Sequence, residues 1–430
     1  MPAPSGSEAE LNVSGSFRIR YEDLAGQARA GLNPADSQLA VRTTIFAEYH
    51  HSGLRIGGEL YDSRAYLGKT GSAISANDVN ALEPVQAYVA GDLENTFGAG
   101  SKVSLQAGRF LVNVGSRRLV AADDYRNATN SYSGFRADAA FKNGNNATFF
   151  YTLPQIRLPD DLPSVLNNKV KLDRESFDLQ LWGGIVTQPR VFGMTNLDVS
   201  YIRLQERDAP GRQTRARNLH SITARFIKDP SVGAFDYEIE GIYQFGHARA
   251  TSAASASLLS VDARFLHADF GYSFAGPAKL RLSAEYDFAS GDRGNGKYTR
   301  FDTLFGMRRA DFGPAGVYAA IGRSNISSPG IRAEIAPSNR WDGFATYHLL
   351  WLASPTDAFS TTGVRDATGR SGKFAGHQLD GRFRYWIIPK KLRAEVNATW
   401  LIKGDFFETA PNAPRTGDTR YIATSVIATF

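Results

Sequence analysis

Arginines and carboxylates stand at alternate positions in several segments of this 430-residue sequence. Arg382 and Arg384 are two residues apart, as are Glu285 and Asp287. The planar fork of an arginine side chain binds carboxylate and phosphate groups bidentately. Arginine provides 37 of the 49 basic side chains, so the chemistry that the sequence favours is recognition of acidic groups.

Catalytic chemistry has little support in the sequence. None of the seven histidines lies in a Gly-x-Ser-x-Gly or His-Glu-x-x-His motif. His267 and Asp269 are two residues apart, but this spacing is common by chance. The absence of cysteine excludes disulfides and cysteine-ligated metals. We therefore expect no catalytic residues, no metal and no cofactor.

The segments that carry these charges alternate between apolar and polar residues. In 392–402, Leu392, Val396 and Trp400 belong to one face, whereas Arg393 and Glu395 belong to the other. Strict alternation predicts β-strands. Strands of soluble sandwiches average about 5–6 residues, whereas a tilted transmembrane strand needs about ten. No run of apolar residues is long enough for a transmembrane helix.

The pattern predicts an all-β fold with about eighteen strands. The weakest is 328–337, which 314–323 would replace or precede. The predicted strands are 11–21, 40–50, 54–67, 83–95, 101–111, 132–141, 146–154, 174–188, 194–205, 216–228, 233–248, 258–275, 278–289, 328–337, 340–353, 374–388, 391–403 and 420–430.

Short, turn-rich connections alternate with long ones along the chain. This rhythm is typical of an antiparallel up-and-down barrel of the bacterial outer membrane, with short periplasmic turns and long extracellular loops. Residues 11–430 are expected to form this single domain. Residues 1–10 lack the basic and apolar regions of a signal peptide, so we expect a flexible segment at a mature N-terminus. The last strand ends on Phe430, which is similar to the signal that the barrel assembly machinery recognises.

The polar face of each strand is expected to line the lumen. The predicted arginine wall, on strands 16, 17 and 1–3, comprises Arg18, Arg20, Arg42, Arg55, Arg382, Arg384 and Arg393. The predicted acidic wall, on strands 11–13, comprises Asp236, Glu238, Glu240, Asp269, Glu285 and Asp287. A lumen with walls of opposite charge has a transverse field. The alternative is that these charges pair across neighbouring strands and only fill a polar interior.

Longer motifs in the chain resemble the alginate-export family of outer-membrane proteins. They are LQAGRFLVNVGSRRLVAADDYRN at 105–127 with SGFR at 133–136, YDFASGDR at 286–293 with FDTLF at 301–305, WL at 351–352 and GHQLD at 376–380. The order and spacing match over roughly residues 100–430, and the first 100 residues match only in strand pattern. The resemblance implies an eighteen-stranded barrel and, in the best-known members, secretion of anionic alginate through an arginine-lined constriction.

The matching motif adds Arg109, Arg118, Arg126 and Arg136 to the candidate anion-binding residues, and Arg136 has lumen parity. Arg109 shares the parity of apolar residues, so either a bulge turns it inward or it lies above the lipid belt. The 112–131 loop, which carries Arg118 and Arg126, is able to fold into the pore. The alternative is that these arginines only fasten the loop to neighbouring strands.

We therefore expect an outer-membrane channel for anionic solutes, either an exporter of an alginate-like polysaccharide or a related carboxylate-selective pore. A general or small-molecule uptake porin is the alternative, and an outer-membrane enzyme or a plugged structural barrel is less favoured. Expected partners are outer-membrane lipid and lipopolysaccharide, an anionic saccharide or small carboxylate, the assembly machinery and periplasmic export proteins. The basic residues form no block, so nucleic acid is not expected. We expect a monomer.

Overall fold

The computed structural model describes residues 9–307 and 309–430, so most of the expected flexible N-terminal segment lies outside the described residues. The described chain forms one antiparallel sheet in which each strand pairs with the next and β1 pairs with β18, which closes the barrel. The strands are β1 Glu10–Ala25, β2 Ala35–His51, β3 Leu54–Tyr66, β4 Asn80–Glu94, β5 Lys102–Phe110, β6 Tyr132–Ala140, β7 Asn146–Pro154, β8 Leu179–Phe192, β9 Thr195–Glu206, β10 Asn218–Lys228, β11 Phe235–Arg249, β12 Leu258–Ser273, β13 Arg281–Ala289, β14 Ile326–Ser338, β15 Trp341–Trp351, β16 Phe374–Ile388, β17 Leu392–Lys403 and β18 Thr419–Thr429.

The predicted all-β barrel of eighteen strands is confirmed. The weakest predicted strand, 328–337, exists as β14, whereas 314–323 is not a strand. Three short helices lie in the connections: α1 Leu162–Leu166, α2 Arg309–Phe312 and α3 Asp405–Thr409. Among the described residues, no helix has the length and apolar character needed to cross a membrane.

The connections alternate in length as the sequence predicts. Those at one end of the barrel have two to seven residues, and those at the other end have eight to 36. We call these ends the short-turn rim and the long-loop rim. β1 begins and β18 ends at the short-turn rim. There Phe430 and Gly15 exchange two backbone hydrogen bonds of 3.1 Å, and a Cβ atom at Gly15 would lie 2.4 Å from the Phe430 ring.

The outer surface of the barrel is apolar and exposed. On β16, Leu379 and Phe383 have the same parity and are 48% and 46% exposed, whereas Asp380 and Arg382 have the opposite parity and are less exposed. Because side chains of a strand point to opposite faces in turn, Asp380, Arg382 and Arg384 face the lumen. This alternation is what a lipid-facing outer surface and a polar lumen require.

The lumen is open at the short-turn half and filled at the long-loop half. Along β1, Asn12 is exposed, whereas Arg18 and Glu22 are buried. The filling comes from two inward loops, residues 111–131 and 290–325, which we call the 111–131 loop and the 290–325 loop. They pair where Phe305 donates its backbone N–H to Leu119 over 2.9 Å. The segment 314–323, which includes fully buried Tyr318, belongs to this interior core.

Candidate functional site

Three arginines of the predicted arginine wall lie in one cross-strand row. Arg393 on β17 pairs in register with Ile427 on β18, Ile427 pairs with Arg18 on β1, and Arg18 pairs with Arg42 on β2. These three arginines are here named the arginine row. The row runs along the barrel wall over β17, β18, β1 and β2, at the level where the open part of the lumen meets the 111–131 loop.

Arg18 and Arg42 donate hydrogen bonds to the main chain of the 111–131 loop. Arg18 Nη2 donates to the Arg126 carbonyl over 2.8 Å, and Arg18 Nη1 donates to the carbonyls of Asp124 and Tyr125 over 3.2 and 3.3 Å. Arg42 Nη1 donates to the carbonyls of Asp124 and Arg126 over 3.2 and 3.1 Å. In the part of the chain that the structure describes, neither guanidinium forms an ion pair with a carboxylate. Both guanidinium groups therefore bind neutral peptide carbonyls, which do not cancel their positive charge.

The neighbouring Arg20 differs, because its charge is compensated. Its Nε atom lies 2.7 Å from Glu22 Oε1, and both side chains are buried. Arg20 also donates to the Tyr125 carbonyl over 2.6 Å, and its guanidinium lies 4.5 Å from the centre of the Tyr125 ring. Arg20 thus anchors the 111–131 loop without adding net charge to the lumen.

Arg382, Arg384 and Arg393 lie in the open half with 21–28% of their side-chain surfaces exposed. Arg382 and Arg384 share Asp342 of β15, at 3.7 and 2.8 Å, and Arg393 lies 3.3 Å from Glu395. Two guanidinium groups thus share the carboxylate of Asp342. Asp342 was not among the predicted residues because the expected arginine wall began at strand 16. Its even spacing from the polar Thr346 and His348 of β15 is a signal that places it on the lumen face.

Aromatic rings flank the same arginines. The guanidinium of Arg382 lies 5.0 Å from the centre of the Phe344 ring, and that of Arg393 lies 5.2 Å from the Trp386 ring. Arginine stacks on aromatic faces without losing its hydrogen-bonding fork. The rings therefore hold these long side chains in place.

Two other predicted lumen arginines have local partners. Arg55 donates to Asp92 over 2.7 Å and lies 3.4 Å from Glu48. Arg136 Nε lies 2.7 Å from Asp138 Oδ2. Both pairs are only partly exposed, and in both the carboxylate offsets the arginine charge.

The expectation that Arg118 is an anion-binding residue is wrong, because carboxylates of the protein surround its side chain. Its Nη1 atom lies 2.5 Å from both Glu238 and Glu240 of β11, and its Nη2 atom lies 3.0 Å from Asp311 in the 290–325 loop. Burial alone would lower the pKa of Arg118, but the three carboxylates raise it well above its ordinary value. Arg118 therefore fastens the 111–131 loop to the acidic wall, as the alternative interpretation of the motif arginines stated.

Asp311 connects the two inward loops. Besides Arg118, it binds Arg323, whose Nη1 atom lies 2.5 Å from Asp311 Oδ2. Burial would raise the pKa of Asp311, but the two arginines lower it far below its ordinary value. Sequence reasoning missed Asp311, which lies in a long connection, and Arg323, which ends the alternative strand 314–323 that does not form.

Arg109 and Arg126 lie away from the arginine row. No register shift interrupts the pairing of β5, so Arg109 keeps the outward parity of Leu105. Its guanidinium lies 2.5 Å from Glu83 and 3.1 Å from Glu175 near the long-loop rim. Of the two alternatives left open for Arg109, the bulge is therefore wrong. Arg126 lies 3.0 Å from Asp123 within the 111–131 loop.

The acidic wall is mostly neutralised by basic side chains. Arg281 binds both Asp236 and Asp269, and Arg225 lies 3.1 Å from Glu238. Arg332 lies 3.9 Å from Glu285. Asp287 contacts the ring of His267 over 2.8 Å. The alternative of cross-strand pairing thus describes this wall well, whereas Arg18 and Arg42 of the arginine row form no ion pair with a described carboxylate. No group of described residues has the composition of a metal site.

The barrel closely follows the fold of solved outer-membrane proteins. The Acinetobacter baumannii protein OccAB1 aligns with 99% of this chain and 98% of its own, at a TM-score of 0.63 and 12% identity. Pseudomonas aeruginosa OccK2, solved in complex with glucuronate, aligns with 97% of this chain and 98% of its own, at 0.59 and 12%. P. aeruginosa OpdK, solved with vanillate, gives the same four values. A comparison with the sequences of curated proteins gives no significant match.

Fold and site together define the class of protein: an outer-membrane β-barrel channel, with the architecture of transport channels rather than of enzymes. The profile of the family described as "Alginate export" matches residues 9–420, which is almost the whole chain. The protein belongs to this family. The predicted resemblance is therefore confirmed, and it extends through the first 100 residues, where only the strand pattern had matched.

Proposed function

We propose that this barrel is an outer-membrane channel that passes carboxylated solutes along the arginine row. The observation that carries the proposal is that Arg18 and Arg42 hold peptide carbonyls and no carboxylate in the described chain. Their charge attracts an anion to the level where they meet the 111–131 loop, and the partly exposed Arg382, Arg384 and Arg393 extend this attraction through the open half. A row of weak sites suits transport, because a solute must leave as readily as it enters.

Membership of the family favours a uronate polymer, such as an alginate-like polysaccharide, as the solute. Each sugar of such a polymer carries one carboxylate that a guanidinium fork is able to bind. On this proposal the protein exports the polymer with periplasmic partners and reaches the outer membrane through recognition of its last strand, where the Phe430 ring is 71% exposed. Lipid and lipopolysaccharide surround a monomeric barrel.

Uptake of small carboxylates is the second candidate, and the filled long-loop half favours it. A polymer chain requires the 111–131 loop and the 290–325 loop to move apart, whereas a single sugar acid needs only a narrow passage beside them. The solved structures of two similarly folded barrels contain glucuronate and vanillate, which are both small carboxylates.

Solute entry into liposomes tests the proposal. Glucuronate and glucose have nearly the same size and differ in charge, so the arginine row is expected to make glucuronate enter several-fold faster. Liposomes without protein provide the background, and an alginate oligomer added outside is expected to slow both sugars by occupying the row. Equal entry of the two sugars, with no effect of the oligomer, would leave a general porin as the better account.

A further inference from the structure

The main chain of Asp124 lies against the arginine row, and its carboxylate is exposed. Its backbone carbonyl accepts hydrogen bonds from Arg18 and Arg42, each over 3.2 Å. Its side chain is 73% exposed, although Asp123 directly before it and Asn127 three residues after it are buried. The carboxylate is therefore held at the boundary between the filled and the open halves of the lumen.

The carboxylate of Asp124 contributes less to the stability of the fold than those of the buried lumen acids. Among the described residues its one ion pair is with Arg117 at 3.7 Å, and the Arg117 side chain is itself 38% exposed. By contrast, Asp123 next to it is fully buried against Arg126 at 3.0 Å. An exposed pair at this distance contributes little to stability, so the position of Asp124 calls for another role.

We propose that Asp124 is a specificity-determining residue, a resident carboxylate that competes with the carboxylates of the solute for the arginine row. The inference rests on the proposed function and deepens it. Because Asp124 is covalently attached to the chain, its local concentration is high and constant. It offsets part of the charge of Arg18 and Arg42, weakens the hold on each arriving carboxylate and thereby favours release.

The test compares Asp124→Asn with Asp229→Asn. Asp229 is an exposed residue in the short turn between β10 and β11, so its change removes the same formal charge outside the row. Block of the single-channel KCl current by glucuronate gives an apparent Kd. Asp124→Asn is expected to lower this Kd about two- to fivefold, the range of one exposed charge pair, and to lengthen each block. Asp229→Asn and the charge-preserving Asp124→Glu are expected to stay near the wild-type value.

The outcomes separate the two proposals. If the wild-type barrel is blocked by glucuronate but Asp124→Asn matches Asp229→Asn, the role of Asp124 is wrong and the anion channel stands. If Asp124→Glu behaves like Asp124→Asn, loop geometry rather than charge is responsible, and the inference is again overturned. If glucuronate does not block the wild-type barrel at all, the proposed function itself fails. Heat-modifiable migration on gels confirms that every variant is folded.

Discussion

Arg118→Met is expected to destabilise the barrel by about 3–5 kcal/mol and to raise its conductance. Removing one partner of a buried ion pair leaves the other charges unpaired in a poorly hydrated site. Glu238 keeps Arg225 and Asp311 keeps Arg323, whereas the one polar partner that Glu240 keeps among the described side chains is the hydroxyl of Ser116 at 3.0 Å. The 111–131 loop loses its anchor on the acidic wall, so the lumen should open more often. Urea unfolding and single-channel recording measure the two effects.

Two further variants control this prediction. Arg264→Met removes an arginine that is 69% exposed and 3.5 Å from Asp262, so its cost should stay within about 1 kcal/mol. Adding Glu240→Gln to Arg118→Met removes the unpaired carboxylate and should recover part of the lost stability, which a double-mutant cycle quantifies. If Arg118→Met and Arg264→Met were equally mild and conducted alike, the loop would not depend on this cluster.

Phe383→Arg is expected to cost about 2–4 kcal/mol in a bilayer if the residue lies near the midplane, because its ring is on the outer face. Arg384→Glu, one residue further along β16, should cost much less and instead weaken anion selectivity. The two side chains differ only in the face of the strand from which they project. Equilibrium unfolding of the barrel from lipid bilayers by urea measures the stabilities, and reversal potentials measure the selectivities. Interchangeable effects of the two variants would show that the assignment of the two faces is wrong.

The sequence predicted the barrel well because its rules are local. Alternation identifies a strand such as Leu392–Lys403 and its two faces at once, and the alternating lengths of the connections place the two rims. The strand ends were less accurate: β1 extends to Ala25 and β2 begins at Ala35, beyond the apolar pattern that predicted them. The residues at these strand ends pair through backbone hydrogen bonds, which do not require an apolar side chain.

The lumen was harder to predict because its contacts are not local. Arg118 binds side chains more than 100 residues away, and nothing in its own segment distinguishes it from Arg117, whose side chain is exposed. The segment 314–323 has the apolar content of a strand because it forms part of the interior core. Parity separates the two faces of each strand, whereas the partner of each charge depends on how the inward loops fold.

The central claim is that the arginine row gives the lumen an anion preference. Reversal potentials of the wild-type barrel in a KCl gradient test it most directly, with Arg42→Gln/Arg393→Gln and Arg42→Lys/Arg393→Lys as a matched pair of variants. The account predicts anion selectivity at 0.1 M salt that falls towards 1 M, because the Debye length shortens from about 10 Å to about 3 Å. The glutamine pair should lose much of this selectivity and the lysine pair should keep it. Cation selectivity of the wild-type barrel at low salt, or identical potentials for the two variants, would contradict the account.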